Sequence, residues 1–135
     1  MESDAKNIVV IGAGYGGVTA ALRLASLFQS TPDYHVVLVD RYPYHTLKTQ
    51  LHEAAVHKSE VTIDIGRIIR NRNITFRLGS VDSIDLVERQ IGIGATSLSF
   101  EYLVLALGSQ ANFYNIAGLE KHSYPLQSAA DAGKI

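Results

Sequence analysis

Three glycines near the amino terminus have the spacing of a phosphate-binding turn, in the run Gly12-Ala-Gly14-Tyr-Gly-Gly17. A diphosphate can bind the free backbone N–H groups at the start of a helix only where no side chain is in the way. Gly12 permits a tight turn, Gly14 lets the backbone approach a pyrophosphate, and Gly17 lets helix and strand pack closely. The pattern predicts a dinucleotide site, and the alternative is a turn with a purely structural role.

An acidic residue stands where such a site needs one. Asp40 follows the apolar run Val36–Val39 and lies 23 positions after Gly17, near the usual spacing of about 20. Its carboxylate predicts an acceptor for the hydroxyl pair of a ribose, a role that would repel a 2′-phosphate. The alternative is a solvated carboxylate at a strand end. FAD and NAD both use this turn, so the motif leaves open which of them binds.

The elements around the turn predict an α/β fold. Ile8–Ile11 and Val36–Val39 are short, uninterrupted apolar runs, typical of parallel strands buried on both faces. Between them, apolar residues recur at helical spacing from Val18 to Phe28, and the predicted helix ends before Pro32. The order of strand, tight turn, helix and strand is one βαβ unit of a Rossmann-like domain.

The rest of the chain predicts a smaller set of elements. Residues 41–58 read as an irregular segment with one short helix at most. We expect a helix capped by Asp64 and running to about Asn71, a strand over Ile74–Leu78, a small antiparallel β-meander, a buried parallel strand over Leu103–Leu107, and weak helical character from Ser128. The three meander segments are Val81–Leu86, Gln90–Ile93 and Ser97–Phe100.

Composition narrows the class of protein. The 135 residues fit one domain, 1–135, and the formal net charge of −1 offers no basic surface for nucleic acid. The chain has no cysteine, which excludes disulfides, thiolate metal sites and dithiol redox chemistry. The polar start lacks the pattern of a secretory signal, and no apolar run is long enough to span a bilayer. We therefore expect a cytoplasmic protein.

Other chemically suggestive residues have simpler readings. His45, His52 and His57 share one segment, but their spacing matches no common metal site, so no metal is predicted. Tyr42 and Tyr44 could border a cofactor ring or pack against the sheet edge. A further set of cations could touch phosphate, although a solvated helix face is the expected role; these residues are Lys58, Arg67, Arg70 and Arg72.

At these residues the chain resembles a known family. Its glycine turn and Val36-Val-Leu-Val-Asp40 are similar to the amino-terminal FAD site of two-dinucleotide-binding-domain flavoproteins. Tyr44-His-Thr-Leu-Lys-Thr-Gln-Leu-His-Glu-Ala-Ala55 and Tyr102-Leu-Val-Leu-Ala-Leu-Gly-Ser109 narrow the resemblance to type II NADH dehydrogenases, the single-subunit NADH:quinone oxidoreductases. The likeness runs over nearly the whole chain.

The resemblance implies particular cofactor contacts. FAD would lie with its pyrophosphate at Gly12, Gly14 and Gly17 and its adenosine ribose at Asp40. Main-chain contact with adenine is implied near Val81, and a turn closing over the cofactor at Ala106 and Gly108. Leucine stands between these last two where the family usually has threonine, so a hydroxyl contact there is in doubt. Thr49 is a candidate contact on the flavin side.

The family reaction is hydride transfer from NADH to FAD, followed by transfer of electrons to a quinone of the respiratory chain. Members bind NADH through a second glycine fingerprint and reach the inner face of the membrane through a carboxyl-terminal region. Gly92-Ile-Gly94 lacks a third glycine and lies in a predicted hairpin, so it is not a second nucleotide site. We therefore expect a fragment, inactive alone, whose catalytic residues cannot be assigned. A homodimer is compatible with the resemblance.

Two other functions remain open. The first is an NAD-binding regulatory or sensor module without catalysis, which leaves the meander and the loop after the second strand unexplained. The second is a flavoprotein disulfide or sulfide reductase, which shares the fold but needs cysteines near the flavin.

Overall fold

The computed structural model describes residues 6–135, which form two compact units. The first comprises residues 6–45 and Asp64–Gly108, and the second Thr46–Ile63 and Ser109–Ile135. The strands are β1 Lys6–Ile11, β2 Tyr34–Asp40, β3 Tyr44–Thr46, β4 Thr62–Asp64, β5 Ile74–Leu78, β6 Val81–Asp85, β7 Gln90–Ile93, β8 Thr96–Ser99 and β9 Tyr102–Leu105. The helices are α1 Tyr15–Leu27, α2 Leu51–His57, α3 Ile65–Ile68, α4 Leu119–His122 and α5 Ala129–Ala132.

A parallel sheet forms the centre of the first unit. Its order is β5-β2-β1-β9, and every neighbouring pair is parallel. The chain passes from β1 through α1 to β2, which is the predicted βαβ unit. The α/β, Rossmann-like fold class is therefore confirmed. Because parallel strands end at the same edge of a sheet, this topology brings the carboxyl ends of β1, β2 and β9 side by side.

Both faces of the two central strands are buried. Ile8, Val10, Val36 and Leu38 pack on one face with residues of α1 and α3. The alternate residues Val9, Ile11, Val37 and Val39 pack on the other face with residues of the meander. Successive side chains of a strand point to opposite faces, so an unbroken apolar run is what a sheet covered on both sides requires. This confirms the prediction made from the two runs.

The second face is covered by the antiparallel meander of β6, β7 and β8. Ile91 and Phe100 point from it into the core against the sheet. The β7–β8 hairpin turns at Gly94, whose φ of +57° suits glycine. The meander and this hairpin were both predicted from the sequence.

Two predicted elements differ from the structure. Asp64 caps α3 as expected, since its side chain accepts a hydrogen bond from the Arg67 N–H, but the helix ends at Ile68 instead of Asn71. Asn71 adopts a left-handed φ of +60°, which a continuing helix excludes. A buried strand was expected over Leu103–Leu107, yet β9 spans Tyr102–Leu105, and both Leu105 and Leu107 are exposed. The reason is its place at one edge of the sheet, where only β1 pairs with it.

The second unit is small and mainly helical. A 3-10 turn over Lys48–Gln50 leads into α2, which packs against α5. Its core consists of Leu51, Ala54, Val61 and Ala132. Within residues 6–135, no helix combines the length and the apolar character needed to span a bilayer.

Candidate functional site

Close packing at the carboxyl ends of β1 and β9 requires glycine at two positions. Gly12 has a φ of +102°, and a Cβ there would lie 2.8 Å from the carbonyl carbon of Ala106. A Cβ on Gly17 would overlap the carbonyl oxygen of Gly12 and lie 3.3 Å from the Ala106 Cβ. The Ala106 N–H donates to the Ile11 carbonyl at 2.8 Å, which fixes it against the turn. The structure thus brings together three residues that the sequence singled out.

The start of α1 has open space beside two of its glycines. A Cβ at Gly14 or at Gly16 would have no atom within 4 Å other than those of adjacent residues and of the helix backbone itself. Gly14 is the N-cap and has no side chain to satisfy the helix, and the first turn contains no acidic residue. The amides of a first helical turn have no intrahelical acceptor, and they carry the positive end of the helix dipole. The local structure therefore suits an anion such as a pyrophosphate.

Asp40 connects the end of β2 to this turn. Its Oδ2 accepts a hydrogen bond from the Ala13 N–H at 2.6 Å, and its Oδ1 accepts one from the Tyr42 N–H at 2.9 Å. The carboxylate is only half-buried, and each oxygen has a second lone pair for a ribose hydroxyl. One amide of the turn is therefore already occupied. An anion would be bound by the amides from Gly14 onward.

His45 is a site residue that the sequence did not reveal. Its ring is 5% exposed, and its Nδ1 lies 2.8 Å from the carbonyl oxygen of Ala13. A carbonyl only accepts, so Nδ1 carries the proton. Tyr15 packs edge-on against the ring with 4.7 Å between the centroids. Nothing in its sequence position distinguishes this histidine from its exposed neighbours, because the contact joins residues 32 apart.

Val81 lines a cavity of about 210 Å³ beside the turn. Ile11 and Leu107 also line it, together with the meander residues Asp82–Ile84. Leu107, the residue that replaces the family's threonine, is 68% exposed. An exposed leucine and a half-buried valine make this cavity partly apolar, which suits an aromatic ring.

The two remaining predicted site residues, Gly108 and Thr49, belong to different units. Gly108 ends the first unit with a φ of +71° and open space where a Cβ would be. Thr49 is exposed in the 3-10 turn of the second unit. Their contacts with a cofactor stay predictions.

The other candidate tyrosines contact each other, and the candidate cations lie at the surface. Tyr42 and Tyr44 stack on each other at 5.4 Å, with the Arg41 guanidinium over the Tyr42 ring at 5.2 Å. Among residues 6–135, no group of three or more His, Cys, Asp or Glu side chains is placed to hold a metal ion. Because α3 ends at Ile68, the predicted cationic helix face is shorter than expected, and Arg70 and Arg72 follow it as exposed residues.

Comparison with known proteins places this geometry in a family. The sequence profile described as pyridine nucleotide-disulphide oxidoreductase matches residues 6–135. A type II NADH:quinone oxidoreductase of Staphylococcus aureus (strain NCTC 8325 / PS 47) is 25% identical over the whole chain, which spans 34% of that relative's length. The chain therefore covers about a third of this curated relative.

Solved structures share the fold. The sulfide:quinone oxidoreductase of Aquifex aeolicus superposes with a TM-score of 0.85 at 26% identity, over 96% of this chain and 30% of that one. NDH2 from Plasmodium falciparum, solved in complex with NADH, gives a TM-score of 0.82 at 23% identity, over 97% of this chain and 28% of that one. With the profile matching residues 6–135, the chain belongs to the pyridine nucleotide-disulphide oxidoreductase family.

Proposed function

We propose that this chain binds FAD and forms the FAD-binding part of a pyridine-nucleotide:quinone oxidoreductase. The observation that carries the proposal is the start of α1, where Gly14 leaves the first turn uncapped beside the carboxylate of Asp40. A dinucleotide offers a pyrophosphate for the turn and a ribose hydroxyl pair for the carboxylate. The turn and the carboxylate are adjacent, because one hydrogen bond joins them.

The residues present fit the adenosine diphosphate half of the cofactor. The amides from Gly14 onward would hold the pyrophosphate, and the free lone pairs of Asp40 would accept from the ribose. The cavity lined by Val81, Ile11 and Leu107 would receive the adenine, with Ala106 and Gly108 closing the turn. Thr49 is the proposed contact on the flavin side. FAD and NAD share the adenosine diphosphate half, so it is the family resemblance that favours FAD over NAD.

The reaction proposed for the whole protein is hydride transfer from NADH to FAD and delivery of electrons to a quinone. The Staphylococcus aureus relative carries the name of that activity. Bound flavin would supply the hydride-accepting chemistry, while this chain would bind and orient it. Cysteine is absent from the chain, so its own side chains provide no thiol step.

The test is a parallel titration of the protein with FAD and with NAD. We expect FAD to bind with the visible absorption of a protein-bound flavin and to raise the Tm progressively as the FAD concentration exceeds the Kd. Binding of NAD without FAD at millimolar ligand would overturn the proposal in favour of an NAD-sensing module. Since the second nucleotide fingerprint is absent from the sequence, we also expect negligible NADH oxidation by the 135-residue chain.

A second electron donor is favoured by one observation. The Aquifex aeolicus structure, with a TM-score of 0.85, is a sulfide:quinone oxidoreductase. Full-length protein assayed for quinone reduction with NADH and with sulfide in parallel separates the two donors. We expect NADH to be the reductant, as the name of the Staphylococcus aureus relative, type II NADH:quinone oxidoreductase, indicates for that protein.

The site of action follows from the acceptor. A quinone resides in the bilayer, so we propose that the whole protein works at the inner face of the cell membrane as a peripheral protein. Fractionation of cells expressing the full-length protein should recover it with membranes and release it by mild detergent. A homodimer would show as a doubled mass in solution.

A further inference from the structure

Two consecutive peptide groups of the glycine turn are each anchored by a side chain from elsewhere in the chain. The peptide between Gly12 and Ala13 donates its N–H to Asp40 Oδ2 at 2.6 Å. The peptide between Ala13 and Gly14 presents its carbonyl to His45 Nδ1 at 2.8 Å. The two anchors act on opposite sides of Ala13, whose side chain is buried in the sheet core.

Anchoring the second peptide has a directional consequence. In a trans peptide the C=O and the following N–H point in opposite directions. The Ala13 carbonyl and the Gly14 N–H belong to the same peptide, and the chain contains no cis peptide bond among its described residues. Holding that carbonyl on His45 therefore directs the Gly14 N–H away from the histidine.

His45 is built into this position. Among the described residues it is the only polar side chain that is buried, with 5% of its surface exposed. Burial of an imidazole costs free energy unless its N–H is hydrogen-bonded. The edge-on contact with Tyr15 fixes the plane of the ring. Tyr15 is itself the first residue of α1, so the histidine contacts the turn on both sides of Gly14.

We propose that His45 is a positioning residue for the cofactor phosphates. It acts through the Ala13 peptide, setting the direction of the Gly14 N–H so that the turn is arranged for an anion before the anion arrives. This inference rests on the proposed FAD function. A preorganised donor avoids the entropy of ordering the turn during binding, so its loss appears in affinity.

The experiment compares four forms of the protein in FAD titrations. His45→Leu removes the donor, and His45→Asn keeps an amide N–H near the position of Nδ1. His52→Leu is the matched control, because His52 lies in the same segment with a side chain 69% exposed. We expect His45→Leu to weaken FAD binding about tenfold, as the loss of one hydrogen bond predicts. The asparagine variant should recover most of this loss, and the control should bind as the wild type does.

Stability is measured alongside affinity. The Tm of each cofactor-free variant and the amide hydrogen exchange of Gly14 report on the fold and on the turn separately. We expect faster exchange at Gly14 in His45→Leu and recovery in His45→Asn. If the leucine variant does not fold, His45→Gln replaces it in the comparison. The glutamine amide lies further from the Ala13 carbonyl than that of asparagine, so this variant should also bind FAD more weakly.

Several outcomes overturn the proposal. If His45→Leu and the control His52→Leu bind FAD with the same affinity, His45 does not position the phosphate site. The proposed FAD function would be unaffected by that result. A loss in His45→Asn as large as in His45→Leu would show that the donor is not what matters. No FAD uptake by the wild type would overturn the proposed function, and this inference with it.

Discussion

The carboxylate of Asp40 lies 2.6 Å from the backbone nitrogen of Ala13, although 27 positions separate the two residues. This hydrogen bond joins the end of β2 to the turn that follows β1. The residue expected to recognise a ribose therefore also builds the turn expected to hold the pyrophosphate. The two predicted cofactor contacts are therefore structurally coupled.

Replacing Asp40 should accordingly affect stability as well as binding. Asp40→Asn turns an NH₂ group toward one of two backbone N–H donors, and we expect the free energy of unfolding without cofactor to fall by about 1.5–3 kcal/mol. FAD affinity should fall in the same variant. Urea denaturation and FAD titration measure the two effects. Asp33→Asn, at an exposed position before β2, is the control and should change neither.

Alanine at two glycines of the turn should affect different properties: stability at Gly17 and FAD affinity at Gly14. In Gly17→Ala the new Cβ would meet the carbonyl of Gly12, which cannot move away, so we expect the unfolding free energy to fall by at least about 3 kcal/mol. Gly14→Ala meets open space, and its effect on cofactor-free stability should stay within about 1 kcal/mol. FAD affinity of Gly14→Ala should nevertheless fall more than about tenfold, because the methyl group occupies the proposed phosphate position. Unchanged FAD binding in this variant would contradict the phosphate site.

Leu107 offers a gain-of-contact experiment. The side chain is 68% exposed, so its removal sacrifices little packing. Leu107→Thr restores the hydroxyl that the family resemblance places there, and one added hydrogen bond predicts roughly 2–10-fold tighter FAD binding. Leu107→Val serves as the control, with the same branching and no hydroxyl. Equal affinities in the two variants would argue against a hydroxyl contact at this turn.

Acid should weaken the cap of α5. The Ser128 hydroxyl donates to Asp131 Oδ2 at 2.7 Å and, with backbone donors from Gln127 and Ser128, lowers the pKa of Asp131 below its ordinary 3.8. A carboxyl with a depressed folded-state pKa contributes stability that is complete above its unfolded-state pKa and is lost as the pH falls through the folded value. The urea midpoint should therefore drop below pH 3.8 in the wild type. Asp131→Asn should be less stable above that pH and should show a smaller acid-induced drop.

The sequence by itself determined the central βαβ unit and the glycine turn. Unbroken apolar runs such as Val36–Val39 are typical of strands covered on both faces, and the structure buries all four residues. Gly12 was assigned to a tight turn and Gly17 to close packing, and both positions exclude a side chain in the structure. Such steric exclusion restricts the residue type to glycine, so it can be read from the sequence. The Asp64 cap was predictable because it is local: its side chain accepts from the Arg67 N–H, only three residues along the chain.

Tertiary structure alone decided how the turn is held and which strands are exposed. The apolar run of β9 resembles that of β2, but only the strand order puts β9 at an edge, where it stays partly exposed. His45 carried no distinguishing sequence signal, because its hydrogen bond to Ala13 depends on folding that brings distant segments together. Sequence patterns reflect steric and helical constraints between residues close together in the chain. A contact between residues distant in the chain leaves no such pattern, so it is seen only in the tertiary structure.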